Sequence, residues 1–174
     1  MTMFADFGPD DHGSPADVLV RQMAQGDVAA CATLAVAREG GDADAWRSRF
    51  AARLADGRTP TFVACVPEVV GYGSVDYLDV SAHPGWYGAP DGWYLTGVVV
   101  APQWRRLGVA RALTLARVQW LSARTHTVYF FANQRNGASL RLHEQLGFVP
   151  MADDFDVGVP FEGGRGVLCR LQLT

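Results

Sequence analysis

The segment that most constrains this chain runs from Trp93 to Arg111, WYLTGVVVAPQWRRLGVAR. Trp93 to Ala101 is almost continuously apolar and turns β-branched near its end, which predicts a strand covered on both faces. Pro102 has no N–H to continue a ladder and stops it. From Gly108 to Ala123 the pattern becomes helical, with Leu113 and Trp120 expected to face inward and Arg111, Arg117 and Arg124 outward. A strand that passes through a tight loop into a helix start is the kernel around which the remaining elements arrange.

Those elements follow in order. Val18 to Met23 alternates as a short strand, and Asp27 suits the N-cap of an Ala-rich helix that runs through Arg38. From Asp42 to Ala55, Trp46, Phe50 and Leu54 recur four apart and share one helix face. Thr61 to Val66 and Val69 to Val80 read as strands of an antiparallel hairpin turning at Pro67 and Glu68. Ser81 to Gly92 is a Gly- and Pro-rich loop that carries His83, Trp86 and Tyr87 and can border a site. Thr127 to Phe131 is a strand, Asn136 to Leu146 a helix, and Phe148 onward returns to strands that close with Gly166 to Leu173. This order describes one mixed α/β sheet. With 174 residues, no repeat and no linker, residues 18–174 make a single domain. Residues 1–17 hold Asp6, Asp10, Asp11 and Asp17 and no positive charge, and read as a flexible acidic tail.

Composition excludes several chemistries. All 15 basic residues are arginine, so a lysine Schiff base and the lysine-dependent phosphate loop of nucleoside triphosphatases are ruled out. A formal net charge of −3 gives no broad basic surface for nucleic acid, although a local arginine cluster can hold a small anion. Cys31, Cys65 and Cys169 sit among apolar neighbours with no C-x-x-C, and read as small core residues rather than metal ligands or nucleophiles. No apolar run reaches membrane-spanning length and no secretory leader is visible, so no membrane association and a cytoplasmic location are expected.

Two segments carry chemistry. In the first, Gly108 and Ala110 are small where backbone N–H groups would approach a ligand, and the start of the following helix offers unpaired donors and partial positive charge. Such a start binds phosphate, and Arg105, Arg106 and Arg111 add charge that does not titrate near neutrality. In the second, Asn136 suits an N-cap and Gly147 a helix stop before Phe148. His143 lies four residues after Ser139, which sets its imidazole beside an apolar stripe.

Together, in this order, the segments resemble the acetyl-CoA-binding motifs of the GNAT superfamily of N-acetyltransferases. Arg105, Gly108 and Ala110 match its [QR]-x-x-G-x-[GA] loop. Asn136, Ser139, Leu142, His143, Gly147 and Phe148 match its N-x-x-[AS]-x-x-L-[YH]-x-x-x-G-F helix. The resemblance implies an α/β fold with a mixed, mostly antiparallel, splayed sheet flanked by helices. It implies acetyl-CoA as co-substrate, with the backbone of Val98, Val99 and Val100 on the pantetheine amides and the N–H groups of Arg106, Leu107, Gly108, Val109, Ala110 and Arg111 on the pyrophosphate. It further implies contacts from Asn136 and Ser139, a backbone N–H near Val99 for the oxyanion, and His143 as proton donor to the thiolate in place of the commoner tyrosine.

Many members of that family carry a glutamate in the strand before the loop, whereas Trp93 to Ala101 has only Tyr94 and Thr96 as polar side chains. Asp76, Asp79 or Asp91 can serve as base through water, and the base stays open. Tyr72, Asp76, Tyr77, Asp79, Trp86, Tyr87 and Tyr94 are candidates to line a pocket for a cationic amine. The expected activity is acetyl transfer to a primary amine of a small molecule by a monomer or homodimer. Acetylation of protein lysines or N-termini, and a non-catalytic acyl-CoA-binding or sensing module, are the alternatives.

Overall fold

The structure is a computed structural model that describes residues 18–174, so the acidic tail expected at 1–17 lies outside the described residues. The elements in chain order are β1 (Leu19–Gln22), α1 (Val28–Glu39), α2 (Ala43–Asp56), β2 (Thr61–Val66), β3 (Glu68–Leu78), β4 (Gly92–Val100), α3 (Val109–Ser122), β5 (Thr127–Asn133), α4 (Gly137–Gln145), β6 (Val149–Ala152) and β7 (Gly166–Gln172). The seven strands form one mixed sheet in the order β1-β2-β3-β4-β5-β7-β6. β1 with β2, β5 with β7 and β6 with β7 are antiparallel, whereas β4 and β5 are parallel. β2 and β3 are neighbours joined by Pro67 alone, a link short enough only for antiparallel strands.

The described chain divides into two compact units. One holds the residues up to Gly73 with Val98–Ala116, and the other holds Ser74–Gly97 and Arg117–Leu173. In the first unit, Met23, Val28, Cys31, Ala32, Ala35, Phe50, Val63, Cys65, Tyr72 and Val99 form the core, with Trp46 and Leu54 packed against it. The four-residue spacing of Trp46, Phe50 and Leu54 therefore does put one face of α2 inward. Asp42 caps that helix, its carboxylate accepting from Ala45 N at 2.9 Å. In the second unit, Val80, Tyr94, Phe155, Val157 and Leu168 form a separate cluster with Tyr129, Phe131 and Phe161 around it.

Four local expectations change. Asp27 does not cap α1 with its side chain. Its carboxylate accepts from Ala24 N at 2.8 Å and from Arg21 at 2.6 and 3.0 Å, so it closes the short 3-10 turn before the helix. The strand from Gly92 to Val100 is not covered on both faces throughout, because Tyr94, Leu95 and Val99 are buried while Gly97 is exposed. Arg117 does not face outward; it is 0% exposed. Glu68 belongs to β3 rather than to the turn before it.

Gly97 explains the odd behaviour of β4. Its φ is +55°, the left-handed region that glycine enters freely and other residues do not. Before it, Trp93 meets Trp120 of α3 at 5.6 Å between ring centroids, so odd-numbered side chains face that helix. After it, Val100 lies with Leu113 of α3, both at 3.4 Å from where a Cβ on Gly71 would stand, while Val99 joins the α1–α2 core. One left-handed residue has exchanged the faces of the strand, as a bulge does.

Gly71 sits where β3 meets the far end of β4. A Cβ there would lie 2.9 Å from Val99 O, a backbone atom with little freedom to yield. Gly71→Ala is expected to lower stability by about 1–3 kcal/mol through overpacking. Urea denaturation of the variant checks this outcome.

Candidate functional site

The loop between β4 and α3 is built from backbone conformation. A 3-10 turn over Pro102–Trp104 follows the strand, and Arg105 N closes on Pro102 O at 3.3 Å. Arg106 then takes φ +65°, the one described non-glycine residue with positive φ, and Gly108 takes φ +79°. With Leu107 between them on the negative side, three successive residues alternate in handedness. Alternation of this kind turns consecutive N–H groups toward one side and makes an anion-binding concavity. Ala112 N bonds Gly108 O at 2.9 Å, so Gly108 is the residue from which α3 starts, and the first amides of that helix are the ones a helix leaves without intrahelical partners. Arg105, Arg106, Leu107 and Gly108 are exposed, Ala110 and Arg111 are half-buried, and Val109 is buried. Arg105 Nε bonds Val100 O at 3.2 Å, which ties the first guanidinium to the strand end. All ten loop and strand residues singled out from sequence, Val98 to Val100 and Arg105 to Arg111, thus lie along one continuous strand-to-helix turn in the first unit.

The second group lies on α4 in the other unit. Asn136 is the N-cap, its carboxamide oxygen accepting from Ser139 N at 3.2 Å, so what Asn136 can still offer a ligand is its NH2. Ser139 is half-buried, and its carbonyl lies 2.8 Å from His143 Nδ1. A carbonyl only accepts, so Nδ1 carries the hydrogen and Nε2 carries the lone pair. His143 is 2% exposed and its ring stacks on Phe130 at 3.5 Å and 3°, with Phe148 edge-on at 5.1 Å. Nε2 is buried with no hydrogen-bond partner in the described structure. An orphaned buried acceptor normally costs about 1–3 kcal/mol, so a group that supplies a donor there is the expected reason for its survival.

Burial pushes the His143 imidazole from its ordinary 6.5 down to about 4, the positive Arg117 adds to the drop, and the Ser139 carbonyl opposes it. At neutral pH the ring is uncharged and Nε2 is an acceptor.

In the same unit, Thr96 of β4 is held twice. Its hydroxyl donates to the Asp76 carboxylate, and its carbonyl accepts from Arg117 Nη1 at 3.2 Å. The same Nη1 reaches Ser74 O of β3 at 3.0 Å. The pairing of β4 with β5 covers Trp93, Tyr94 and Leu95 against Val128, Tyr129 and Phe130. Thr96 is therefore the first residue past the paired stretch, and Gly97 follows it. The sequence offers Asp76 as a base candidate, Thr96 as a polar side chain of the strand and Arg117 as an outward residue, but not this arrangement of the three. The signal was present, however, since Leu113, Arg117 and Leu121 are four apart and all buried, which puts Arg117 on the inward stripe of α3.

The pocket candidates divide. Tyr72 and Tyr94 are core residues, and Tyr94 OH donates to Pro90 O at 2.7 Å. Asp79 and Asp91 are engaged with loop N–H groups of Ala82 and Ser81. Trp86 stacks on His83 at 4.0 Å, and Tyr77, half-exposed, stands edge-on to Trp93 at 5.4 Å. Among the described residues no cluster of His, Cys, Asp and Glu has the makings of a metal site.

The acetyltransferase (GNAT) family matches residues 28–148, most of the chain and both motif segments. The chain belongs to that family. Among solved structures, a protein from Salmonella typhimurium described as an acetyltransferase, solved with its cofactor acetyl-CoA, is 26% identical. It covers 90% of this chain and 94% of its own, with a TM-score of 0.66. A ribosomal-protein-alanine N-acetyltransferase from Brucella melitensis is 24% identical, covers 89% and 99%, and has a TM-score of 0.69; at that identity it shows the fold. An N-acetyltransferase from Staphylococcus aureus, 17% identical and covering 91% and 100% at a TM-score of 0.69, shows the same fold. No curated protein matches the chain. The protein is a GNAT N-acetyltransferase that uses acetyl-CoA as acetyl donor. The residues present suit that donor: an alternating-handed loop and helix start with arginines suit the phosphates, and the orphaned Nε2 of His143 suits a hydrogen-bond donor. Among the described residues no helix is long and apolar enough to cross a membrane.

The histidine generates a pH prediction. Between pH 6.5 and about 4 the unfolded chain takes a proton on His143 that the native chain refuses, so its contribution to stability is complete above 6.5 and is lost as pH falls through that window. The His143 ring resonances should show no titration above about pH 5, and the urea midpoint of His143→Phe should depend less on pH across the window than that of the parent. A ring midpoint near 6.5 would contradict the buried, neutral geometry.

Proposed function

We propose that residues 18–174 act as one acetyltransferase domain that transfers acetyl directly from acetyl-CoA to a primary amine of a small molecule. The domain reading is supported by the family match, which crosses both compact units. The observation that carries the small-molecule reading is the closure of the loop after β3 onto the loop between β6 and β7. Tyr87 and Asp156 exchange backbone bonds at 3.0 and 2.9 Å, and Tyr87 OH reaches Asp154 at 3.3 Å. Gly88 lies so close that a Cβ on it would stand 2.3 Å from Asp154 O, and one on Gly158 would stand 2.9 Å from Trp86 Nε1. Loops laced together in this way, with Asp154 and Asp156 on them, support a compact cationic guest over an extended peptide.

In this reading Val98, Val99 and Val100 present backbone to the pantetheine amides. Arg106 to Arg111 hold the pyrophosphate on their N–H groups, with Arg105 adding charge, and Asn136 and Ser139 contact the cofactor. The donor supplies an activated thioester; the protein's task is to orient it, accept the oxyanion on backbone N–H near Val99, and manage protons. His143 serves the departing sulfur. Neutral at rest, its Nε2 would take the proton that the amine nitrogen sheds on attack and return it to the sulfur as the carbon–sulfur bond breaks, because the negative charge developing beside it raises the pKa that burial has lowered. The attacking amine must be uncharged, so kcat/KM for the amine should rise with pH toward the amine's own pKa, with no break at the ordinary histidine value.

Release of free thiol from acetyl-CoA across a panel of small amines and peptides tests the acceptor. Turnover confined to peptides sinks the small-molecule reading, and tight CoA binding without turnover of either class sinks the enzymatic role of the site. His143→Phe is expected to lower kcat by about a hundredfold while the Kd for acetyl-CoA changes little. Unchanged turnover at saturation removes His143 from the mechanism. Gly88→Val, strained at φ +71° and blocked by Asp154 O, should raise the KM for the amine and leave that for acetyl-CoA unchanged.

A further inference from the structure

The most unusual group outside the two motifs is Arg117. A guanidinium at 0% exposure is rare, because removing a charge from water costs several kcal/mol even after relaxation. Burial pushes its pKa down to about 9. Apolar side chains of similar volume commonly replace buried ions without loss of stability, so stability alone does not account for an arginine here.

Its hydrogen bonds point to a job. Nη1 donates to Ser74 O on β3 and to Thr96 O on β4, at 3.0 and 3.2 Å, and so joins two adjacent strands through their carbonyls from a helix packed on them. Thr96 is the residue at which pairing with β5 has just ended, and the next residue is the left-handed Gly97. Beyond β5's pairing, β3 still flanks β4, with Ala101 N bonded to Val70 O at 2.8 Å, and Arg117 adds a hold on the Thr96 carbonyl itself. The Asp76 carboxylate holds the same residue by its hydroxyl. We propose that Arg117 is a positioning residue for acetyl transfer: it fixes the Thr96–Gly97 peptide from which the cofactor-facing end of β4 departs. Lysine could not do the same, since its ammonium is a point donor on a flexible stem, whereas the guanidinium is a rigid fork.

The inference rests on the reading that Val98–Val100 hold the thioester end of acetyl-CoA, and its test separates the two. Arg117→Met and Arg117→Lys are compared with the parent by thermal denaturation, CoA calorimetry, turnover, and amide exchange at Thr96 and Gly97. Arg117→Met is expected to keep its Tm, to bind CoA within about threefold, and to lose about a hundredfold in kcat. Amide exchange at Thr96 and Gly97 should quicken by about tenfold or more, with β5 and β7 unchanged. Arg117→Lys should fall between. If Arg117→Met does not fold, Arg117→Lys decides alone: about a tenfold loss in kcat at unchanged CoA affinity sustains the proposal. Turnover within about twofold of the parent in either folded variant, or exchange that rises everywhere alike, overturns it. Should the parent turn over no small amine, the acceptor reading fails, while the exchange arm still judges Arg117.

Discussion

Every backbone N–H and C=O taken from water has to be paired, and β4 is where this protein arranges for some of that pairing to come from elsewhere. The strand is nine residues long, and its register with β5 covers three of them. β5 meanwhile remains paired with β7 along its full length, from Thr127 against Gln172 to Asn133 against Gly166. A parallel partner that stops pairing partway would ordinarily mark a fraying end, yet here the stop is followed by a left-handed glycine, a change of face and a loop of alternating handedness. Each of these demands a particular residue: Gly97 for its φ, Gly71 for room beneath Val99, and Gly108 to begin α3. The strand, the loop and the helix are best understood as one device in which backbone groups are aimed rather than merely satisfied.

Charge is handled by the same economy. Arg105 and Arg106 stand in solvent at the loop, where permanent charge reinforces the amides without needing burial. Arg117 lies fully inside, where the same permanence has a different value. A lysine at that depth would tend to shed its proton, because desolvation lowers its pKa by several units. An arginine lowered to about 9 stays charged at neutrality and keeps donating to both carbonyls. The absence of lysine from all 174 residues reads first as a bias of composition, and at most surface positions nothing in the structure argues otherwise. At Arg117, which is 0% exposed, burial makes the identity of the base matter.

Local signals were legible and conformational ones were not. Asn136 as N-cap and Gly147 as stop follow from preferences that act within one turn of helix, and both hold, Gly147 at φ +92°. The spacing of Trp46, Phe50 and Leu54 is a pattern of burial, and burial is what periodicity reports. Arg117 was misread because polarity was weighed above position: Leu113, Arg117 and Leu121 share a stripe, and long side chains can carry a charge through an apolar face to an acceptor. Asp27 was misread because the cap of a helix and the cap of the turn before it demand the same residue types one step apart. Gly97 carries no visible signal at all, since glycine permits a left-handed conformation without requiring it. Tyr87, Gly88, Trp86, Asp154 and Asp156, proposed above to border the acceptor, meet across nearly seventy residues of sequence, a separation that no local pattern encodes.

His143 brings these threads to the chemistry. A tyrosine in such a place would bring a proton with it; this imidazole, with Nδ1 committed to Ser139 and the fixed charge of Arg117 depressing its pKa, brings a lone pair instead. A group that is protonated in the resting state can be neutralised by solvent before it is needed. In the proposed role, a group that is neutral in the resting state and buried against Phe130 gains a proton only when negative charge appears, and so cannot act early. The arrangement therefore trades a ready acid for timing. On the proposed reading that trade matches the backbone amides of strand and loop, since those too acquire their full value only when the charge they face has formed.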